Sequence, residues 1–273
     1  MSQSRTRSTS DPGVEARPAA AKARHLYIVT GASRGLGLAL VQQLAIPGNA
    51  LLCLSRSTSP ALAALARKSG VTIEQWPADL LHAGGVAARL DSWLHNAQKS
   101  DLESVTLINN AGIIGRVGGV DHTTAEDLAS VLRVDLEAPV LLTQIFLRAT
   151  RSWNCARRVL NISSGAARRA IAGWSTYCAA KAGLDHFTRT VALDEATHAN
   201  GAKLVSLAPG VIDTDMQGLL RAADASGFPD QQRFLDLKAN QQLASPDDAA
   251  KAVLLYLTRA DFGANPVADV RDA

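Results

Sequence analysis

The sequence predicts an α/β protein: one doubly wound domain whose parallel sheet carries helices on both faces. Three features predict it. Short apolar, β-prone runs recur along the chain, stretches of helix length separate them, and a glycine-rich turn directly follows the first run. Strands of a parallel sheet are buried on both faces, so they read as near-continuous apolar runs joined by helical crossovers. Those crossovers are right-handed.

The first run is LYIVT (26–30), followed by GASRGLG and then by the helical pattern LALVQQLA. Further runs are ALLCLS (50–55), VTIEQW (71–76), SVTLIN (104–109), RVLNIS (158–163) and KLVSLA (203–208). Helical stretches are expected at 83–98, 124–150, 174–199 and 246–259. No internal repeat and no second boundary interrupts residues 25–273, which read as one domain. Residues 1–24 are polar, rich in Ser, Arg and Ala, and lack the apolar stretch of a secretory signal. Asp11, Pro12, Gly13, Glu15 and Pro18 work against an amphipathic targeting helix. A disordered tail is expected there.

The 273 residues are 47% apolar and 19% charged with a mean hydropathy near zero, which suits a substantial buried core and excludes a wholly disordered chain. The net charge is +3, the basic residues are dispersed and aromatics make up 4%, so no nucleic-acid surface is expected. No apolar run approaches the ~18 residues that would span a bilayer, so no membrane partner is expected either. Cys53, Cys155 and Cys178 are too few and scattered for a disulfide framework and offer no zinc pair. Free thiols in a cytoplasmic protein without a metal are the expectation.

In TGASRGLG, Gly31, Gly35 and Gly37 stand between the first strand and the first helix. Glycine serves a tight strand-to-helix turn there, lets a pyrophosphate approach the backbone, and lets helix pack closely on strand. The free N–H groups and positive dipole end of the helix then face the phosphates. Ser33, Arg34 and Leu36 share that surface. An acid ending the second strand would bind a ribose 2′-hydroxyl and favour NAD. This strand instead ends in Ser55 and Arg56, and Arg34 adds a second guanidinium. A planar fork of donors suits a 2′-phosphate, so NADP(H) is the expected cofactor.

Tyr177 and Lys181 lie one turn apart on one face of a helix. An adjacent ammonium stabilises a phenolate, and lowering a tyrosine pKa by three units takes about 4 kcal/mol of such stabilisation. Ser164 closes the fifth strand, where strand ends line a ligand crevice, and its hydroxyl can hold a carbonyl oxygen.

Taken together, TGASRGLG, NNAG (109–112), SS (163–164), YCAAK (177–181) and PGVIDT (209–214) resemble, in order and spacing, the short-chain dehydrogenase/reductases over about residues 25–270. The resemblance implies a Rossmann domain with a seven-stranded parallel sheet, and a homodimer or homotetramer. It implies that Tyr177 donates the proton, Lys181 binds the nicotinamide ribose and tunes Tyr177, and Ser164 polarises the carbonyl. It places Asp79 and Leu80 near the adenine, Asn109, Ala111 and Gly112 along the cofactor, and Pro209, Gly210, Val211 and Thr214 at its nicotinamide end. One position departs: Asp135 stands where the family usually has an asparagine that helps hold a water for proton relay. Its carboxylate keeps the acceptor and adds a charge.

Within that family, GWSTYCAAKAG, APGVIDTDMQ, LKANQQLASP and DFGANPVADVRD are similar to the sepiapterin reductase and benzil reductase members. This resemblance implies a carbonyl reductase whose small-molecule substrate is a vicinal dicarbonyl, with a carboxylate near the C-terminus anchoring the guanidine-like edge of a pterin. Asp269 is the candidate, with Asp272 as the alternative and a solvated acid as the plain reading. Trp174 and Met216 are read as pocket walls or as core, Arg168 and Arg169 as meeting an anionic substrate or, by preference, facing solvent, and Asp213–Asn240, with Gly218, Gly227 and Pro229, as a lid. Two other readings stand beside it: a 3-oxoacyl-carrier reductase and a non-catalytic NADP sensor.

Overall fold

The computed structural model describes residues 24–272. The expectation for the tail, residues 1–24, otherwise lies outside the described residues, but Arg24 belongs to the folded body. Its amide donates to the Gly48 carbonyl at 2.7 Å, its own carbonyl accepts from the Glu103 amide, and its guanidinium pairs with the Glu103 carboxylate.

Seven strands form the sheet: β1 (His25–Thr30), β2 (Asn49–Ser55), β3 (Thr72–Pro77), β4 (Ser104–Asn109), β5 (Ala156–Ile162), β6 (Lys203–Ala208) and β7 (Val267–Asp269). All pairs are parallel, in the order β3-β2-β1-β4-β5-β6-β7. The order reverses between β1 and β4. Crossovers leave from that point toward opposite sides, which opens a crevice at the carboxyl ends of the strands. Six strands fall where the apolar runs lie. The seventh is only three residues long, too short to announce itself.

Helices α1 (Gly35–Leu44), α2 (Pro60–Ser69) and α9 (Pro246–Leu257) cover one face, and α3 (Ala83–Asn96), α5 (Ala138–Thr150) and α6 (Ser175–Ala196) the other. Neighbouring strand residues point to opposite layers: Ile28 packs with Trp76, Leu90 and Phe146, whereas Val29 packs with Leu40, Val41 and Val253. Each such fully buried aliphatic contributes about 1.5–3 kcal/mol of burial.

The expected helix over 124–150 is interrupted. Helix α4 (Ala125–Leu132) runs into a π-turn, Arg133–Glu137, before α5 begins. The Ala138 amide reaches back five residues to the Arg133 carbonyl, and Pro139 has no N–H to offer the carbonyl of Asp135. Asp135 is thereby turned inward, fully buried.

The expected lid is built mainly of helix. Helices α7 (Asp215–Arg221) and α8 (Gln231–Ala239), with Phe228 of the segment that joins them, dock through Leu220, Phe228 and Phe234 on Ile114, Val131 and Trp174, a third apolar cluster beside the crevice. Phe228 is fully buried, stacked on Phe234 and edge-on to Trp174. Phe228→Ala is expected to cost about 3–5 kcal/mol in chemical denaturation, because α7 and α8 lose their anchor on Trp174.

Candidate active site

A cavity of about 710 Å³ occupies the crevice. At one end is the glycine turn. Gly31 holds φ +67°, and a Cβ there would meet the Ala111 Cα at 2.9 Å; a Cβ on Gly37 would meet the Gly31 carbonyl oxygen at 2.1 Å. Only glycine lets the turn fold this tightly onto β4. Arg34, in extended conformation, immediately precedes α1, so the free amides of the helix start open on the cavity beside Ser33, Gly35 and Leu36. Asn110 braces the turn by donating to the Thr30 and Gly31 carbonyls, and the Thr30 hydroxyl accepts from the amides of Asn110 and Ala111.

Beside the turn, the buried Ser55 donates to the Ser57 carbonyl at 2.8 Å. Arg56 is exposed on the cavity wall and has no ion-pair partner among the described residues. Arg34 is differently placed: its Nη1 lies 2.9 Å from Asp215 Oδ2 on α7, both side chains largely exposed. Asp79 caps a short turn by accepting from the Leu81 amide, and with Leu80 it lines the same wall. Ala111, Gly112, Pro209, Gly210, Val211 and Thr214 complete the cradle. The Asn109 expectation is corrected. Asn109 points into the layer behind the sheet, where its amide donates to Asn161 and Thr143; Asn110 takes its place on the cavity wall. The repeated asparagine of NNAG hid which one faced the ligand side.

At the other end stand Ser164, Tyr177 and Lys181. Ser164 follows the end of β5 and starts a short turn, its Oγ accepting from the Ala166 amide and facing the phenol of Tyr177. Tyr177 is buried and stacked on Trp174, ring centroids 4.4 Å apart. Lys181 donates to the Ile162 carbonyl at 3.1 Å, and its Nζ is 3.2 Å from Asp135 Oδ2. The other oxygen of Asp135 accepts from the Ile113 amide at 2.8 Å. Asp135 does not itself line the cavity and acts through Lys181. A Cβ on Gly112 would come within 3.0 Å of its carboxylate, so the glycine of NNAG leaves room for this pair.

Burial pushes the Tyr177 phenol above its ordinary range, and the Lys181 ammonium only partly offsets this. Sequence spacing reveals the lysine but not the depth of burial. Burial disfavours the Lys181 ammonium too, but the carboxylate of Asp135 and the phenol outweigh that and hold its pKa above that of ordinary lysine. The stability Lys181 contributes is therefore complete below the ordinary lysine value and is lost only as pH rises through the raised one. Burial also raises Asp135 above the usual carboxylate range, so acidification does not cost the fold at this position.

Sequence spacing gave no sign of a buried acid behind the site. Asp185, two turns beyond Tyr177, is buried and accepts from Ser163 and Ser206 at 2.6 and 2.7 Å. Its other oxygen faces Arg168 Nε at 3.6 Å. Arg168 keeps an exposed flank, as expected, and is held by partners as well. It is pinned between Asp185, the Ala268 carbonyl at 2.6 Å and Asp269 at 3.9 Å. Arg169 pairs with Asp230 at 3.0 Å at the exposed rim. Trp174 and Met216 line the cavity, and Trp174 is core as well. Asp269 also lines it; buried at the end of β7, it is no solvated terminal acid, whereas Asp272 is exposed and off the wall. The Arg271 fork and amide beside Asp269 hold its carboxyl below the usual range.

The cysteines are unpaired, and burial pushes the Cys53 thiol up to about 12, leaving it inert. Among the described residues no cluster of side chains could hold a metal ion, and no helix is long and apolar enough to cross a membrane.

The chain matches the family model described as short chain dehydrogenase over residues 25–225. It is 33% identical over 235 residues to the benzil reductase ((S)-benzoin forming) of Bacillus cereus, an alignment spanning 86% of this chain and 94% of that protein. It is likewise 33% identical over 260 residues to the sepiapterin reductase of Bos taurus, spanning 91% and 95%. Among solved structures it is similar to a short-chain dehydrogenase/reductase from Burkholderia vietnamiensis, with a TM-score of 0.61, 33% identity, and coverage of 92% and 100%.

Proposed function

Since the chain belongs to the short chain dehydrogenase family of oxidoreductases, we propose that it is an NADPH-dependent reductase of a vicinal dicarbonyl, aromatic or pterin-linked. One observation carries this reading: Ser164, Tyr177 and Lys181 converge at one end of a cavity whose other end is a glycine cradle fit for a dinucleotide. The names of the relatives, benzil reductase and sepiapterin reductase, support the dicarbonyl class.

The cradle residues fit the cofactor, which when bound supplies the hydride. The rest falls to the chain. The Ser164 hydroxyl and the Tyr177 phenol hold the substrate carbonyl oxygen, which becomes an alkoxide as the carbonyl carbon is reduced. Tyr177 passes its proton to that oxygen, giving the secondary alcohol. A phenol held above its ordinary pKa is fully protonated at neutral pH and so is ready to donate. The phenolate left behind faces the Lys181 ammonium, whose own charge is held by Asp135. A mere NADP sensor needs none of this buried acid and its tuner.

Arg56 supports NADP over NAD: a free guanidinium stands where an acid would contact a 2′-hydroxyl. Arg56→Ala, alone or with Arg34→Ala, is expected to raise KM for NADPH about tenfold or more while leaving NADH nearly unchanged, which corresponds to about 1.4 kcal/mol or more. Equal effects on both cofactors would remove the 2′-phosphate assignment. Three unpaired thiols fit a cytoplasmic protein, and the exposed Leu132 and Leu193 fit burial in a homodimer or homotetramer.

The function is tested by following NADPH absorbance with benzil and sepiapterin side by side. Turnover of at least one is expected. Silence with both, from protein that binds NADPH, overturns the dicarbonyl reading.

A further inference from the structure

At the cavity wall the chain occupies one of its own polar sites. The Asp269 carboxylate is buried, yet both its oxygens are taken by Arg271: Nε reaches Oδ1 at 2.8 Å and Nη2 reaches Oδ2 at 2.6 Å. This is a planar fork on a carboxylate, the geometry by which a guanidinium or amidine edge is recognised. Arg271 lines the cavity with 66% of its side chain exposed, against 4% for Asp269. A buried acceptor thus faces an exposed, solvated donor.

We propose that Arg271 is a displaceable internal occupant of a guanidine-recognising subsite centred on Asp269, and that it gates which carbonyl substrates the pocket takes. A substrate with an N–C–N edge must expel the Arg271 side chain to reach Asp269. A neutral aromatic dicarbonyl has no use for the carboxylate and leaves the pair intact. The occupied site therefore biases the chain toward the second class. The inference rests on the reductase reading for its substrates, but the subsite itself does not.

Expulsion is feasible because Asp269 is not orphaned by it. The Arg271 amide still donates to Oδ1 at 3.0 Å, and Arg168 Nη1 stays 3.9 Å from Oδ2. Arg168 is itself anchored on the Ala268 carbonyl and faces Asp185, so it does not follow Arg271 out. An intramolecular competitor acts at an effective concentration in roughly the millimolar range, so removing it strengthens a competing ligand markedly.

The test uses the full chain with NADPH. The ratio of kcat/KM for sepiapterin to that for benzil is expected to rise about tenfold or more in R271A. The rise is smaller in R271K, which keeps charge but loses the fork. It disappears in the R271A/D269N double variant. An unchanged ratio in R271A, or a rise that survives D269N, overturns the gate.

A second readout needs no turnover. Benzamidine, a flat amidinium, is titrated calorimetrically into the NADP complex and is expected to bind R271A about tenfold more tightly than the unaltered chain. Equal affinities overturn the gate. Tighter benzamidine binding by R271A with neither carbonyl reduced by the unaltered chain sinks the reductase reading and leaves the gate standing.

Discussion

Tyr177→Phe removes turnover by a factor of about 10²–10⁴, the usual range for loss of a positioned proton donor, while cofactor affinity stays close to that of the unaltered chain. The ring is kept, so the stack on Trp174 and the packing of the third apolar cluster survive. What is lost is the O–H that meets Ser164 and would meet the substrate oxygen. The effect should fall on kcat more than on KM, because the proton is needed only as the alkoxide forms. Fluorescence titration with NADPH and steady-state kinetics together decide it. Retention of full turnover by a folded Tyr177→Phe protein would refute the mechanism.

Lys181→Met carries the second large effect, and it is expected in stability as well as in rate. Lys181 and Asp135 are both buried, so removing the ammonium strands a carboxylate inside the protein, a loss of about 3–5 kcal/mol for broken buried pairs. Urea denaturation should show it. Adding Asp135→Asn to Lys181→Met should restore part of the loss, since the stranded charge is gone while an acceptor remains for the Ile113 amide. Asp135→Asn alone should leave the protein folded and active but move the alkaline limb of its pH–rate profile downward. The carboxylate is what raises the Lys181 pKa, so without it the ammonium titrates at lower pH and the phenolate loses support sooner. A limb that stays put would mean that Lys181 does not set it.

Much of this was legible from residue order. Six strands and the spans of α3, α6 and α9 follow from apolar runs and their spacing, because burial on both faces of a parallel sheet leaves little room for polar residues. The glycine turn, Ser164, Tyr177 and Lys181 could be singled out by residue type and spacing, and all of them line the same cavity. Other features depended on facts no local pattern carries. The π-turn at Asp135 looks like ordinary helix from either side. Whether Asn109 or Asn110 faces the cavity depends on where β4 ends. That Arg168, while exposed on one flank, is also tied to Asp185 and Asp269 depends on elements remote in sequence. The raised Tyr177 phenol follows from burial, which spacing does not measure.

The strand order has a consequence for how the molecule comes into being. β1 lies inside the sheet, with β2 on one side and β4 on the other, and His25 sits beside Ser104, 79 positions later. During synthesis the chain can close β1 against β2 early, but the other edge of β1 stays bare until β4 has emerged. Loop-closure entropy over that separation must be overcome before any contact across it is gained, so folding is governed by long-range pairing and should be slow, in the millisecond-to-second range typical of non-local topologies. Until then Ile28 and Val29 are exposed along an unpaired, apolar edge, the kind of surface that captures other nascent chains. A fragment ending before residue 104 should aggregate where the full chain does not.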